Sequence, residues 1–112
     1  MLDETNYKID ENNSLLILDD DQPFLKRLSV AMEKRGFNVF PASSMAEFSR
    51  ILESDCPNYA IIDLRLNDGT GLDAVESIRN LNPDSKIVIL TGYGAIATAV
   101  AAVISETLLS AI

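Results

Sequence analysis

Asp19-Asp20-Asp21 directly follows the apolar run Ser14-Leu15-Leu16-Ile17-Leu18, Asp63 follows Tyr59-Ala60-Ile61-Ile62, and Thr91 follows Ile87-Val88-Ile89-Leu90. Short continuous apolar runs of this kind suit strands buried on both faces, so all three polar positions are expected at strand ends. If the first and third strands are neighbours, Asp19, Asp20 and Asp63 converge on one cleft. Two carboxylates about 4 Å apart repel by roughly 1 kcal/mol in water and roughly 4 kcal/mol at an effective dielectric near 20. A chain that gathers three of them needs a compensating cation. An all-oxygen donor set with open positions describes a Mg²⁺ site. A carboxylate beside such an ion can attack phosphorus and form an aspartyl phosphate. Asp63, the lone acid at its strand end, is the candidate nucleophile, and Thr91 offers a hydroxyl to a phosphoryl oxygen. A stored phosphoryl group adds a charge of about −2 that can draw a mobile hydroxyl toward it, which makes the chemistry that of a switch.

The intervening segments read as helices that return the chain to the same sheet edge. Gln22 to Arg35 carries Phe24, Leu25, Leu28, Ala31 and Met32 at helical spacing, with Asp21 as N-cap, Pro23 in the first turn and Gly36 as terminator. Asn38-Val39-Phe40 reads as a second strand, and Ser44 to Glu47 has capping-box spacing ahead of a helix that turns Phe48, Ile51 and Leu52 inward. Arg65 to Gly71 reads as a loop. Leu72 to Leu81 reads as a helix with Leu72, Val75, Ile78 and Leu81 on one side, and Ala95 to Val103 as a further, alanine-rich helix. Strand and helix alternate through four units. That alternation predicts a doubly wound parallel α/β sheet with right-handed crossovers, and if its order is 2-1-3-4 the first and third strands are neighbours. Ligands of such sheets bind beyond the carboxyl ends of the strands, where the order reverses.

Composition narrows the function classes. The 112 residues allow one small domain. Residues 1–13 read as a polar leader, and 14–112 as the domain. A net charge of −8 argues against direct nucleic-acid binding by this segment. With no His and only Cys56, neither a zinc site nor a histidine-based triad can be assembled. The unpaired Cys56 fits a cytoplasmic location, and no apolar run reaches the roughly 18–20 residues of a membrane span. An aspartate-nucleophile phosphohydrolase would place a second acid at position 65, which is Arg65, so an enzyme is not expected. A helix-loop-helix calcium site over Asp63 to Ala74 lacks the sixth-place glycine and the closing Glu. Taken singly, each acid has an ordinary explanation as a cap or turn residue. Their joint placement at strand ends carries the inference.

The pattern resembles the receiver domain of bacterial two-component response regulators. Ile17-Leu18-Asp19-Asp20 is similar to that family's first strand, Ile61-Ile62-Asp63-Leu64 with Asp68-Gly69-Thr70-Gly71 to its phosphoacceptor strand and loop, and Val88-Ile89-Leu90-Thr91-Gly92 to its fourth strand. Asp63 to Asp73 and Leu90 to Val100 look especially like the RegA/PrrA/ActR redox-response regulators. The resemblance implies a flavodoxin-like fold and Asp63 phosphorylated by a sensor histidine kinase. It implies Mg²⁺ held by Asp19, Asp20, Asp63 and the main-chain carbonyl of Arg65, with Thr91 as the switch hydroxyl. It also implies transcription control through an output domain outside this chain. The resemblance runs from about Ser14 to Val103 and then stops. A lysine at the end of a fifth strand belongs to the family pattern, whereas the last lysine here is Lys86. The normal fifth strand and fifth helix are therefore expected to be missing, as in a truncated or altered product. Either the helix from Ala95 runs on to Leu109, which the continuing helical spacing of Val100, Val103, Ile104, Thr107 and Leu108 favours, or a short strand forms over Leu108 to Ile112. The apolar surface so left uncovered points to a homodimer or to strand or helix exchange through the C-terminal segment. The alternative function is a receiver that is not phosphorylated and acts only by association.

Overall fold

The computed structural model describes residues 13–66 and 69–90. Within them the elements are β1 (Ser14–Leu18), α1 (Gln22–Lys34), β2 (Asn38–Ala42), α2 (Met45–Ser54), β3 (Tyr59–Asp63), β4 (Arg65–Leu66), β5 (Gly69–Thr70), α3 (Gly71–Leu81) and β6 (Lys86–Leu90). Asn67, Asp68, Thr91, the leader up to residue 12, the alanine-rich helix expected over Ala95 to Val103, and the whole C-terminal segment lie outside the described residues.

The main sheet has four strands in the order β2-β1-β3-β6, all parallel, which is the expected 2-1-3-4 arrangement. Its central strands β1 and β3 are continuous apolar runs because both of their faces are covered. Leu15, Ile17, Tyr59, Ile61, Val88 and Leu90 point to one face, where Leu25 and Met32 of α1 pack on them. The alternate residues Leu16, Leu18, Ala60 and Ile62 point to the other, against Phe48 of α2 and Ala74 and Ile78 of α3. The side-chain period of two thus feeds two separate cores.

Local signals set the boundaries. Asp21 caps α1, its Oδ1 accepting the Phe24 N–H at 3.1 Å. Gly36 takes φ 98°, a left-handed turn that a side chain would oppose, and directs the chain into β2. Ser44 caps α2 through its Oγ, which accepts from Glu47 N–H at 3.1 Å. The reciprocal half of the expected capping box is displaced by one residue. Glu47 Oε1 accepts from the backbone N–H of Ser43 at 2.6 Å and from its hydroxyl at 2.9 Å, rather than from Ser44.

Two readings of the sequence are corrected. The segment from Arg65 to Gly71 is not a plain loop: β4 and β5 pair antiparallel, Arg65 opposite Thr70 and Leu66 opposite Gly69. Two-residue strands leave no hydrophobic periodicity to detect. The inner face of α3 is Gly71, Ala74 and Ile78 rather than a stripe of its larger apolar residues. Leu72 and Leu81 are 58% and 61% exposed. The small residues face inward because the helix lies close to the sheet, and closeness selects volume over hydrophobicity. Ile78→Ala should therefore lower unfolding free energy by about 2–5 kcal/mol. Leu72→Ala and Leu81→Ala should each change it by less than about 0.5 kcal/mol in the same urea titrations.

A three-carboxylate site at the strand ends

β1 and β3 are adjacent and parallel, with Leu18 in register with Ile62, so the residues following each emerge side by side. Asp19 extends the β1–β2 ladder by one bond, its N–H donating to the Ala42 carbonyl at 3.1 Å. That bond keeps Asp19 in line with the strand and buries it, at 6% exposure. Asp20 and Asp63 are half-buried. One carboxylate oxygen from each of Asp19, Asp20 and Asp63 lies within 4.8 Å of the others. Asp21 turns away to cap α1, so the three consecutive aspartates divide their work.

Backbone N–H groups of the described residues reach Asp19 and Asp63. Asp21 N–H donates to Asp19 Oδ1 at 2.9 Å, and Arg65 N–H donates to Asp63 Oδ1 at 3.1 Å. They offset only part of the repulsion. Burial, joined by the charges of Asp63, Asp20 and Asp21 and opposed by the Asp21 N–H, pushes the Asp19 carboxyl up to about 6. Burial also raises Asp63, with the charge of Asp20 adding to it and the Arg65 N–H opposing. Oxygens at the separation found here repel by about 3 kcal/mol per ionised pair at an effective dielectric near 20. The donor set is hard and anionic, which suits Mg²⁺ or Ca²⁺ far better than a soft metal. The residues present therefore fit a divalent cation.

Asp19, Asp20 and Asp63 are brought together as the sequence implied. Arg65 opens β4 two residues after Asp63, tied to it by its N–H, while its side chain is exposed. Thr91 lies outside the described residues; Leu90, the residue before it, pairs with Asp63. Cys56 is half-buried, its Sγ 3.8 Å from the Ile78 carbonyl, and burial raises its thiol. An inert structural thiol is what that environment produces. The sequence offered Gly71 only as part of a family-like loop; that it abuts Asp63 from behind is a close approach between backbones, which leaves no local signature.

A carboxyl raised in the folded state holds its proton more tightly there than in the unfolded chain. Ionised Asp19 therefore costs stability, in full above about pH 6, and the cost is relieved as pH falls toward 4. Without divalent cations, the urea midpoint should rise between about pH 7 and 5 by the equivalent of about 1–3 kcal/mol. Asp19→Asn should flatten that slope, and a saturating divalent cation should reverse it by competing with the proton.

Comparison with known proteins agrees with this geometry. The family model described as the response regulator receiver domain matches residues 15–107. Photosynthetic apparatus regulatory protein RegA of Rhodovulum sulfidophilum is 61% identical over 100 residues, covering 89% of this chain and 55% of that protein. Acid tolerance regulatory protein ActR of Rhizobium meliloti is 54% identical over 95 residues, covering 85% of this chain and 49% of its own length. The chain thus spans about half the length of the curated relatives it matches. A response regulator protein from Burkholderia pseudomallei, solved with a phosphorylated aspartic acid, a calcium ion and citrate, superimposes with a TM-score of 0.67. It is 34% identical, over 81% of this chain and 54% of that one. Strand order, the acidic cluster at the strand ends and these relatives agree: the chain belongs to the response regulator receiver domains, the phosphoacceptor modules of two-component signalling.

Proposed function

We propose that Asp63 accepts the phosphoryl group, from a sensor histidine kinase, in a site completed by Mg²⁺. The observation that carries this reading is the meeting of the Asp19, Asp20 and Asp63 carboxylates at the ends of β1 and β3. The phosphorylated aspartic acid and calcium ion of the Burkholderia pseudomallei protein support it. Asp19, Asp20 and Asp63 would hold the ion together with the Arg65 carbonyl. When bound, Mg²⁺ supplies positive charge that neutralises the carboxylates and the incoming phosphoryl oxygens.

The chain's own residues supply the rest. Asp63 provides the attacking oxygen at the tip of β3, a strand paired on both sides up to Ile62. The Arg65 N–H holds Oδ1 of that carboxylate and restricts its rotation. Asp19 and Asp20 keep the pocket anionic until a cation arrives, so the donor's phosphoryl group is repelled from the empty site. Thr91 would then answer the new charge with its hydroxyl. On this reading the chain is the acceptor of a phosphoryl group and not an enzyme; Arg65 stands where an aspartate-nucleophile hydrolase would carry its acid.

Cytoplasmic location and control of transcription belong to the same proposal. Among the described residues no helix is long and apolar enough to cross a membrane. Self-association through the segment after Val103 is proposed from sequence alone.

Incubation with acetyl phosphate and Mg²⁺ should add one phosphoryl mass to the chain, and Asp63→Asn or chelation of the cation should abolish it. Equal labelling of Asp63→Asn and parent would refute Asp63 as acceptor. No labelling of the parent would leave the second reading, association without phosphate.

A further inference from the structure

Gly71, the first residue of α3, is buried with its backbone pressed against Asp63. A β-carbon at this position would stand 2.2 Å from the Asp63 carbonyl oxygen and 2.9 Å from both the Asp63 carbonyl carbon and Ile62 Cγ2. The obstacle is main chain and a branched side chain inside the sheet, neither of which can swing aside. Gly71 does not take a positive φ, so the position demands room and not left-handed backbone.

The contacts around it close a small ring. Gly71 N–H donates to the Leu64 carbonyl at 3.1 Å, and Leu64 N–H in turn donates to the Leu90 carbonyl at 3.0 Å. The β4–β5 hairpin joins Arg65 to Thr70. Thr70 Oγ1 accepts the Leu72 N–H at 3.2 Å, holding the first turn of α3 against the hairpin. Inside the ring the Arg65 N–H reaches Asp63 Oδ1.

We propose that Gly71 is a positioning residue for phosphoryl transfer: its bare Cα lets α3 close on the Asp63 carbonyl and locks the Leu64–Arg65 turn, so that the Arg65 N–H engages Oδ1 and Oδ2 is the oxygen that attacks. This deepens the proposed phosphoacceptor role and rests on it. With acetyl phosphate as donor, a lone pair of Asp63 Oδ2 forms the new O–P bond. The P–O bond to the acetyl group breaks, and its electron pair leaves with acetate. No proton changes hands. A side chain at position 71 would drive the start of α3 back by about 1 Å, a displacement that can cost about 100-fold in rate when it moves a reacting group.

The test uses the full chain at a temperature where each variant is folded, with saturating acetyl phosphate and Mg²⁺. Gly71→Ala should take up phosphoryl groups about 30–100-fold more slowly than the parent, the loss lying in the maximal rate. Ile78→Val, a core truncation in the same helix, should lose stability yet keep the parental rate, which a purely structural role for Gly71 would also give. Folded Gly71→Ala labelled within about 2-fold of the parental rate would overturn the proposal. If Gly71→Ala does not fold, Thr70→Ala decides, because it frees the first turn of α3 without adding an atom. Its uptake should fall several-fold, and an unchanged rate would overturn the positioning role. Failure of the acceptor assignment looks different: parent and Asp63→Asn would then label alike, or neither would label, and the positioning role would fall with it.

Discussion

Three carboxylates held against their mutual repulsion are the constraint around which this domain is arranged. The repulsion is tolerated because the acids sit at the ends of two strands whose other residues are among the most buried in the chain. Leu16, Ile17, Leu18 and Ile62 are almost wholly removed from water. Burying one such side chain contributes about 1.5–3 kcal/mol, comparable with one ionised pair at the cluster. The sheet can therefore carry the strain at its edge without unfolding. The same burial raises the carboxyls of Asp19 and Asp63, so that neutralising charge is favoured there.

The division of labour among neighbouring residues follows from that constraint. Asp19 stays on the strand by its bond to Ala42, Asp20 completes the cluster, and Asp21 anchors α1. The start of α1 beside the acids adds the favourable end of its dipole. On the other side, β4, β5 and the start of α3 wrap the peptide that follows Asp63. Each wall joins main-chain structure to one side-chain cap, Asp21 on α1 and Thr70 on α3.

Membership of the receiver family places this chemistry in signalling, and the chain spans only about half of its curated relatives. The three carboxylates of the acidic cluster come from the ends of two adjoining strands.

Much of this was legible from residue order. Apolar runs ending in Asp19, Asp63 and Leu90, the caps at Asp21 and Ser44, and the terminator Gly36 are local signals, each carried by a few consecutive residues. They define the elements, their succession and the types of donor available. Which residues meet was a different matter. The cluster exists because β1 lies beside β3, a strand order the sequence permits but does not impose. The rotation of α3, which turns Ala74 inward and Leu72 outward, is set by how near the helix lies to the sheet. The pressure of Gly71 on Asp63 arises between backbones that only folding brings together. Sequence supplied the chemistry and its punctuation; distances between elements, which no short-range pattern encodes, were decided by packing.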